Sequence, residues 1–188
     1  MILGLDVSTS CTGWSLLTLD GSLVSNGYIP LTKHKDMLEK AETVRKELKQ
    51  IADQYNVTRV CIEENLQAFR PGFSSAKTLM TLARFNGIVS YICCRDIEVN
   101  PEFINVNVAR KSLNIAMVRE KICGIPTKKQ IFNWVSDQIK SSNYKWPKRT
   151  MKSGPRKGQV VLENGCYDIA DAYVIARSGL ISEQPKTS

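Results

Sequence analysis

Four acidic residues stand where acid is out of place. Asp6 is the one charge in the run MILGLDVSTSCTGWSLL (1–17), and Glu63, with Glu64 beside it, closes the apolar run VCIEE. Asp168 and Asp171 lie three apart in DIADAYVIAR, so in a helix they share one face. Taking a carboxylate into an apolar strand is costly unless something pairs with it. For Asp6 that partner is a metal ion, a phosphate or a capped turn, and the stretch alone does not choose among them. Four carboxylates without an accompanying histidine or cysteine set are the donors a hard cation prefers, Mg²⁺ or Mn²⁺. Two such ions about 3.5 to 4 Å apart activate water and stabilise the leaving oxygen in phosphodiester cleavage. Each acid also has a plainer use: Asp168 suits a helix N-terminus, Asp171 can pair with Arg177, and Glu63 with Glu64 can be a solvated strand end.

The elements that must position these acids follow from the hydrophobic pattern. ILGLDV (2–7), GWSLLTL (13–19) and SLVSNGYI (22–29) read as three antiparallel strands, the last two joined at the hairpin signal Asp20-Gly21. From Asp36, the apolar positions Met37, Ala41, Val44, Leu48, Ile51 and Tyr55 line one face of a helix. VTRVCIEE (57–64) is a fourth strand, parallel to the first because a helix crosses between them, which brings Glu63 beside Asp6. A loop, NLQAFRPGFSS, then leads into a long helix through Cys94, with Ala83 and Gly87 small enough for close packing. Beyond it come a short strand at 103–107, helical pieces over 109–121, a helix at 128–140 and a last helix from Tyr167. The expectation is one domain over 1–188.

Composition narrows the partners. Lys and Arg number 26 against 18 for Asp and Glu, a formal charge of +8 that favours a polyanion. The surplus concentrates in SSNYKWPKRTMKSGPRKGQV (141–160), a basic connecting segment running to about 165. Residues 141–160 hold Lys145, Lys148, Arg149, Lys152, Arg156 and Lys157 and no acid. Tyr144 and Trp146 among these lysines offer surfaces on which bases stack. His34 is the one histidine, which excludes HExxH chemistry. The six cysteines contain no CxxC pair, so neither a zinc knuckle nor a disulfide framework is expected, and reduced thiols in a cytoplasm-like compartment fit best. Neither a signal peptide nor a membrane span is expected.

ILGLDVSTSCTGWSLL, VCIEENL, SAKTLMTLARFNGIV and DIADAYVIA, in this order and spacing, resemble the RuvC-type Holliday junction resolvases of the RNase H-like superfamily. The resemblance implies an α/β fold: a mixed sheet of about five strands, the first three antiparallel and the rest parallel, with helices on both faces. It implies a homodimeric endodeoxyribonuclease that nicks opposing strands of four-way junction DNA. Asp6, Glu63, Asp168 and Asp171 would be the catalytic residues and the ligands of two Mg²⁺ ions, with Mn²⁺ able to substitute and Glu64 in reserve for Glu63. Lys111 and Lys128, with Lys129 as neighbour, correspond to DNA-contacting lysines. Where bacterial members stack an aromatic on DNA this chain has Leu66, so Phe69 or Phe73, with Arg70 between them, would serve.

Three other readings compete. A sugar-kinase or actin-type phosphotransferase shares a hairpin like GLDVSTSCTG, yet 188 residues with no second phosphate loop leave it no room. An RNase H-like nuclease acting on flaps or RNA-DNA hybrids would use the same acids. A junction-binding module without cleavage would gain nothing from four carboxylates facing phosphates.

Overall fold

A computed structural model describes residues 1–64 and 75–182. The first three strands are β1 (Ile2–Val7), β2 (Cys11–Leu17) and β3 (Leu23–Pro30). Helix α1 (Met37–Gln54) crosses to β4 (Arg59–Glu63), which lies parallel to β1, and β5 (Glu102–Ile104) adds a second parallel partner. The sheet order is β3-β2-β1-β4-β5, with the first three strands antiparallel as expected. The turn between β2 and β3 is longer than the two residues anticipated. Gly21 takes φ 88° and the Asp20 carboxylate accepts from the hydroxyls of Thr18 and Ser22, which builds a five-residue loop.

Helices cover both faces of the sheet. On one side α1 and α2 (Ala76–Ile92) bury Val44, Leu48, Phe85 and Val89 against Leu3, Leu5, Val60 and Ile62. Asp36 caps α1 by accepting from the amides of Leu38 and Glu39, and Ser75 caps α2 through Thr78. The long second helix leaves α geometry at Cys93, where a π-helical turn runs to Ile97. On the other face lie α3 (Val106–Ser112), α5 (Thr127–Gln138) and α6 (Gly165–Ser182), with α4 (Glu120–Cys123) as a single turn between the first two. The helical stretch expected over 109–121 therefore breaks in two. Asn114 sits at φ 52°, a left-handed conformation that stops the first piece. The strand expected to reach residue 107 ends at Ile104, because the Asn105 side chain accepts from the amides of Asn107 and Val108 and caps α3.

Helix α6 lies directly on β1 and β2. Two glycines permit that approach: a Cβ on Gly4 would overlap the Ala172 carbonyl, and one on Gly13 would overlap the carbonyl of Asp168. The buried Ser15 hydroxyl donates to the Ile169 carbonyl at 3.2 Å and ties the same pair of elements together.

The basic segment is the largest departure from expectation. Residues 141–160 are not a structureless connection: β6 (Lys148–Thr150) and β7 (Val160–Leu162) pair antiparallel into a separate hairpin. Its base is pinned to the body, since Trp146 packs on Phe132 at 4.6 Å between ring centroids and Tyr144 meets Trp146 edge-on at 5.2 Å. Both aromatic rings are thus half-buried and packed against the body rather than standing free as open stacking surfaces.

Candidate active site

The parallel pairing of β1 and β4 sets Leu5 opposite Ile62, so the next residue of each strand brings Asp6 and Glu63 to the same edge of the sheet. From above, α6 supplies Asp168 in its first turn and Asp171 one turn further on. The four groups interact. Burial raises the Asp6 carboxyl well above the usual carboxylate range, and the charges of Glu63, Asp171 and Asp168 push it further. Burial, then Asp171, carries Glu63 to about 7, and burial carries Asp171 to about 6. Asp168 is raised as well, by burial, against a thiol hydrogen bond donated by Cys11. Acids from three separate elements thus share one poorly solvated edge.

Two cationic side chains temper this repulsion. Arg110 places Nη2 3.8 Å from Oδ1 of Asp171, with only 13% of the Asp171 side chain exposed. Lys128 lowers all four carboxyls through its charge. It stands in the first turn of α5, where a cation is unfavourable to the helix dipole, so its placement serves the carboxylates rather than its own helix. Lys129, its neighbour, lies over the Phe132 ring at 4.5 Å instead. Glu64 accepts from the Asn105 amide at 3.3 Å, while Glu63 is the one that couples to Asp6.

Sequence reasoning named Lys111 on α3 and missed Arg110. The signal was in the helical phase: Val106, Ala109, Arg110 and Leu113 form the inward stripe of VNVARKS and its cap, and Lys111 falls on the exposed side. Cys11 was also missed, because its role depends on contact with a helix more than 150 residues away. The six basic residues of the hairpin segment, Lys145, Lys148, Arg149, Lys152, Arg156 and Lys157, are all exposed, and Arg149 approaches Glu163 at 3.7 Å. β7 ends three residues before α6 begins, so the hairpin springs from the helix end that carries Asp168. Phe69, Arg70 and Phe73, together with Leu66, lie outside the described residues. His34 is engaged by Thr43 at 3.2 Å, beside α1.

The donor set suits a hard cation. It consists of carboxylate oxygens, and Oδ1 of Asp171 is buried without a hydrogen-bond partner among the described residues. Among those residues no three His, Cys, Asp or Glu side chains are drawn together as a ready-made metal cage.

A five-stranded sheet with this strand order and helices on both faces is an RNase H-like α/β fold. Within that class the fold is that of the RuvC-type resolvases. T. thermophilus RuvC in complex with a Holliday junction substrate matches with a TM-score of 0.63 at 13% identity, over 96% of this chain and 92% of that one. Thermus thermophilus RuvC in another structure matches at 0.60, 14% identity, 96% and 93%. The yeast mitochondrial Holliday junction resolvase Ydc2 matches at 0.54, 12% identity, 96% and 77%. No family sequence model and no curated sequence matches the chain.

Proposed function

We propose that this chain is a Mg²⁺-dependent endodeoxyribonuclease that resolves four-way DNA junctions by paired symmetrical nicks. The observation that carries the reading is the meeting of Asp6, Glu63, Asp168 and Asp171 at one half-buried edge of a RuvC-type fold. These four residues would hold two Mg²⁺ ions, with Mn²⁺ able to substitute. When bound, such ions make water easier to deprotonate and neutralise charge developing on a phosphodiester. The chain's own groups do the rest. Asp6 and Glu63 fix one side of the site from the rigid sheet, and Asp168 and Asp171 fix the other from α6. Lys128 and Arg110 present positive charge to the incoming phosphate, and the basic hairpin at 148–162 extends that field along the DNA.

Two active sites are needed to cut two opposing strands, which calls for a symmetric dimer. Helix α2 supports it: Met80, Ala83, Gly87 and Tyr91 recur at helical spacing, all exposed, with Met80 67% and Tyr91 65% accessible. A Cβ on Gly87 would meet nothing, so a second helix can approach closely there. Among the described residues no helix is long and apolar enough to cross a membrane, and none of the six cysteines is in a disulfide, which fits a reducing compartment.

The test is incubation with synthetic four-way junctions, duplexes, flaps and RNA-DNA hybrids, with and without Mg²⁺. Paired nicks confined to four-way junctions and dependent on the metal are expected. Equal cutting of flaps or hybrids would replace the junction reading with a broader RNase H-like nuclease, and no metal-dependent cutting of any substrate would overturn both.

A further inference from the structure

A cavity of about 470 Å³ opens between α3 and the segment leading into α5, and its lining includes Asn107, Arg110, Lys111, Arg119 and Thr127. No acid lines it. It adjoins the carboxylate edge through Arg110, which lines the cavity and also reaches Asp171 at 3.8 Å. Nε of Arg110 is buried with no hydrogen-bond partner among the described residues, so this guanidinium retains donor capacity.

The outer wall is the segment 118–125, which carries the single turn of α4, and burial does not hold it in shape. Its apolar side chains face solvent, Ile122 at 75% and Val118 at 43% exposure. One amide holds it instead. Oε1 of Gln130 accepts from the Val118 amide at 3.0 Å, and Nε2 donates to the carbonyls of Val118 and Ile125, each at 2.7 Å. The Cys123 thiol adds contacts to the same two carbonyls at 3.8 and 3.6 Å. A segment clamped at both ends by one side chain of α5 keeps Arg119, which lies between the clamped residues, against the cavity.

We propose that this cavity seats a phosphodiester of the DNA strand flanking the cleaved one. Arg110 and Lys111 meet it from the inner side and Arg119 from the outer, and Gln130 is the positioning residue that holds the outer wall. Three cations, a hydroxyl and an amide, with no opposing acid, are the chemistry that recognises a phosphate oxygen. The inference rests on the nuclease reading above and extends it to residues outside the acidic set.

Four-way junctions carrying one neutral methylphosphonate at successive positions around the cut test it, with the full chain and Mg²⁺. For the wild-type protein one flanking position is expected to raise KM about tenfold with kcat retained, the effect of losing one charge-assisted contact. Arg119→Ala should raise KM similarly on the unmodified junction, lose its sensitivity at that same position, and flatten the salt dependence of binding by about one unit of slope. Gln130→Leu should lose the same positional sensitivity, and Arg119→Lys should restore part of it. A merely structural role for either residue would lower stability without erasing the response at a single phosphate. If Arg119→Ala remains as sensitive as wild type at every position, the cavity assignment falls while the nuclease reading stands. If the wild type fails to cut the unmodified junction, the nuclease reading falls first. A mononucleotide that raises the Tm of wild type and not of Arg119→Ala, with no methylphosphonate effect, would assign the cavity to a free nucleotide and overturn the proposal.

Discussion

Helix α6 spans the sheet from one edge to the other, and the aspartates at its two ends live under opposite rules. At the first edge Asp6, Glu63, Asp168 and Asp171 are all raised above their ordinary range, chiefly by burial. At the far edge Arg177 donates to the carbonyl of Asp20, and the Asp20 carboxyl is lowered because the hydroxyls of Thr18 and Ser22 donate to it. Asp20 is satisfied by its own turn, which is what an aspartate does for structure. At the other edge neighbouring acids add to the charging cost of Asp6, Glu63 and Asp171, and Oδ1 of Asp171 has no hydrogen-bond partner among the described residues. Ionising that edge costs stability, and under the nuclease reading proposed above a bound cation would offset the cost.

The comparison breaks most sharply under charge removal at the acidic edge. Asp6→Asn or Asp171→Asn should reduce Mg²⁺-dependent junction nicking to background while junction binding is kept or strengthened, read on native gels and by product analysis; normal nicking by either variant would sink the assignment. The spacing of the edge comes next. Gly13→Ala drives a methyl group into the backbone of Asp168, and chemical denaturation should register a loss of roughly 3 kcal/mol.

The pH response sharpens the contrast further. Between the ordinary carboxylate range and the values of about 6 for Asp171 and about 7 for Glu63, the unfolded chain gives up protons that the folded chain still holds. Stability of the metal-free protein therefore falls as pH rises through that window and levels off above it. Discounted for solvent exposure, the loss is on the order of 2 kcal/mol, or a Tm drop of roughly 4 to 8 °C. Mg²⁺ added at pH 8 should recover it, and a Tm that is flat or rises from pH 5 to pH 8 without metal would contradict the site. Neutralising Lys145, Lys148, Arg149, Lys152, Arg156 and Lys157 should weaken junction binding and flatten its salt dependence; an unchanged slope would make the hairpin a bystander. Asp20→Asn should do least: cleavage within about twofold of wild type and a Tm within roughly 2 °C, as a surface substitution outside the site.

Much of the acidic edge was legible because it follows from short-range rules. A parallel β1 and β4 bring their C-terminal acids side by side, and a three-residue spacing brings Asp168 and Asp171 to one helix face. The hairpin was not legible. KRT and VVL are strands of three residues, too short for a period to show, and they pair across a nine-residue loop that carries no apolar signal. Tyr144 and Trp146 read as solvent-facing because Phe132, the ring on which Trp146 packs, belongs to another element, and Tyr144 packs in turn on Trp146. Arg110 and Lys111 are neighbours about 100° apart on a seven-residue helix, one half-buried toward Asp171 and the other exposed, and so short a helix shows too little of its period to say which of the two turns inward.

One buried amide carries a further consequence. Asn86 sits 2% exposed on α2 and donates to the carbonyl of Glu63 at 3.3 Å. It links a helix of one face directly to the strand end that bears an acid. A force that slides α2 along its axis acts on the Glu63 backbone directly, as well as through the packing of Phe85 and Val89 on the sheet. Whatever grips the Met80–Tyr91 face of that helix therefore has a lever on the acidic edge.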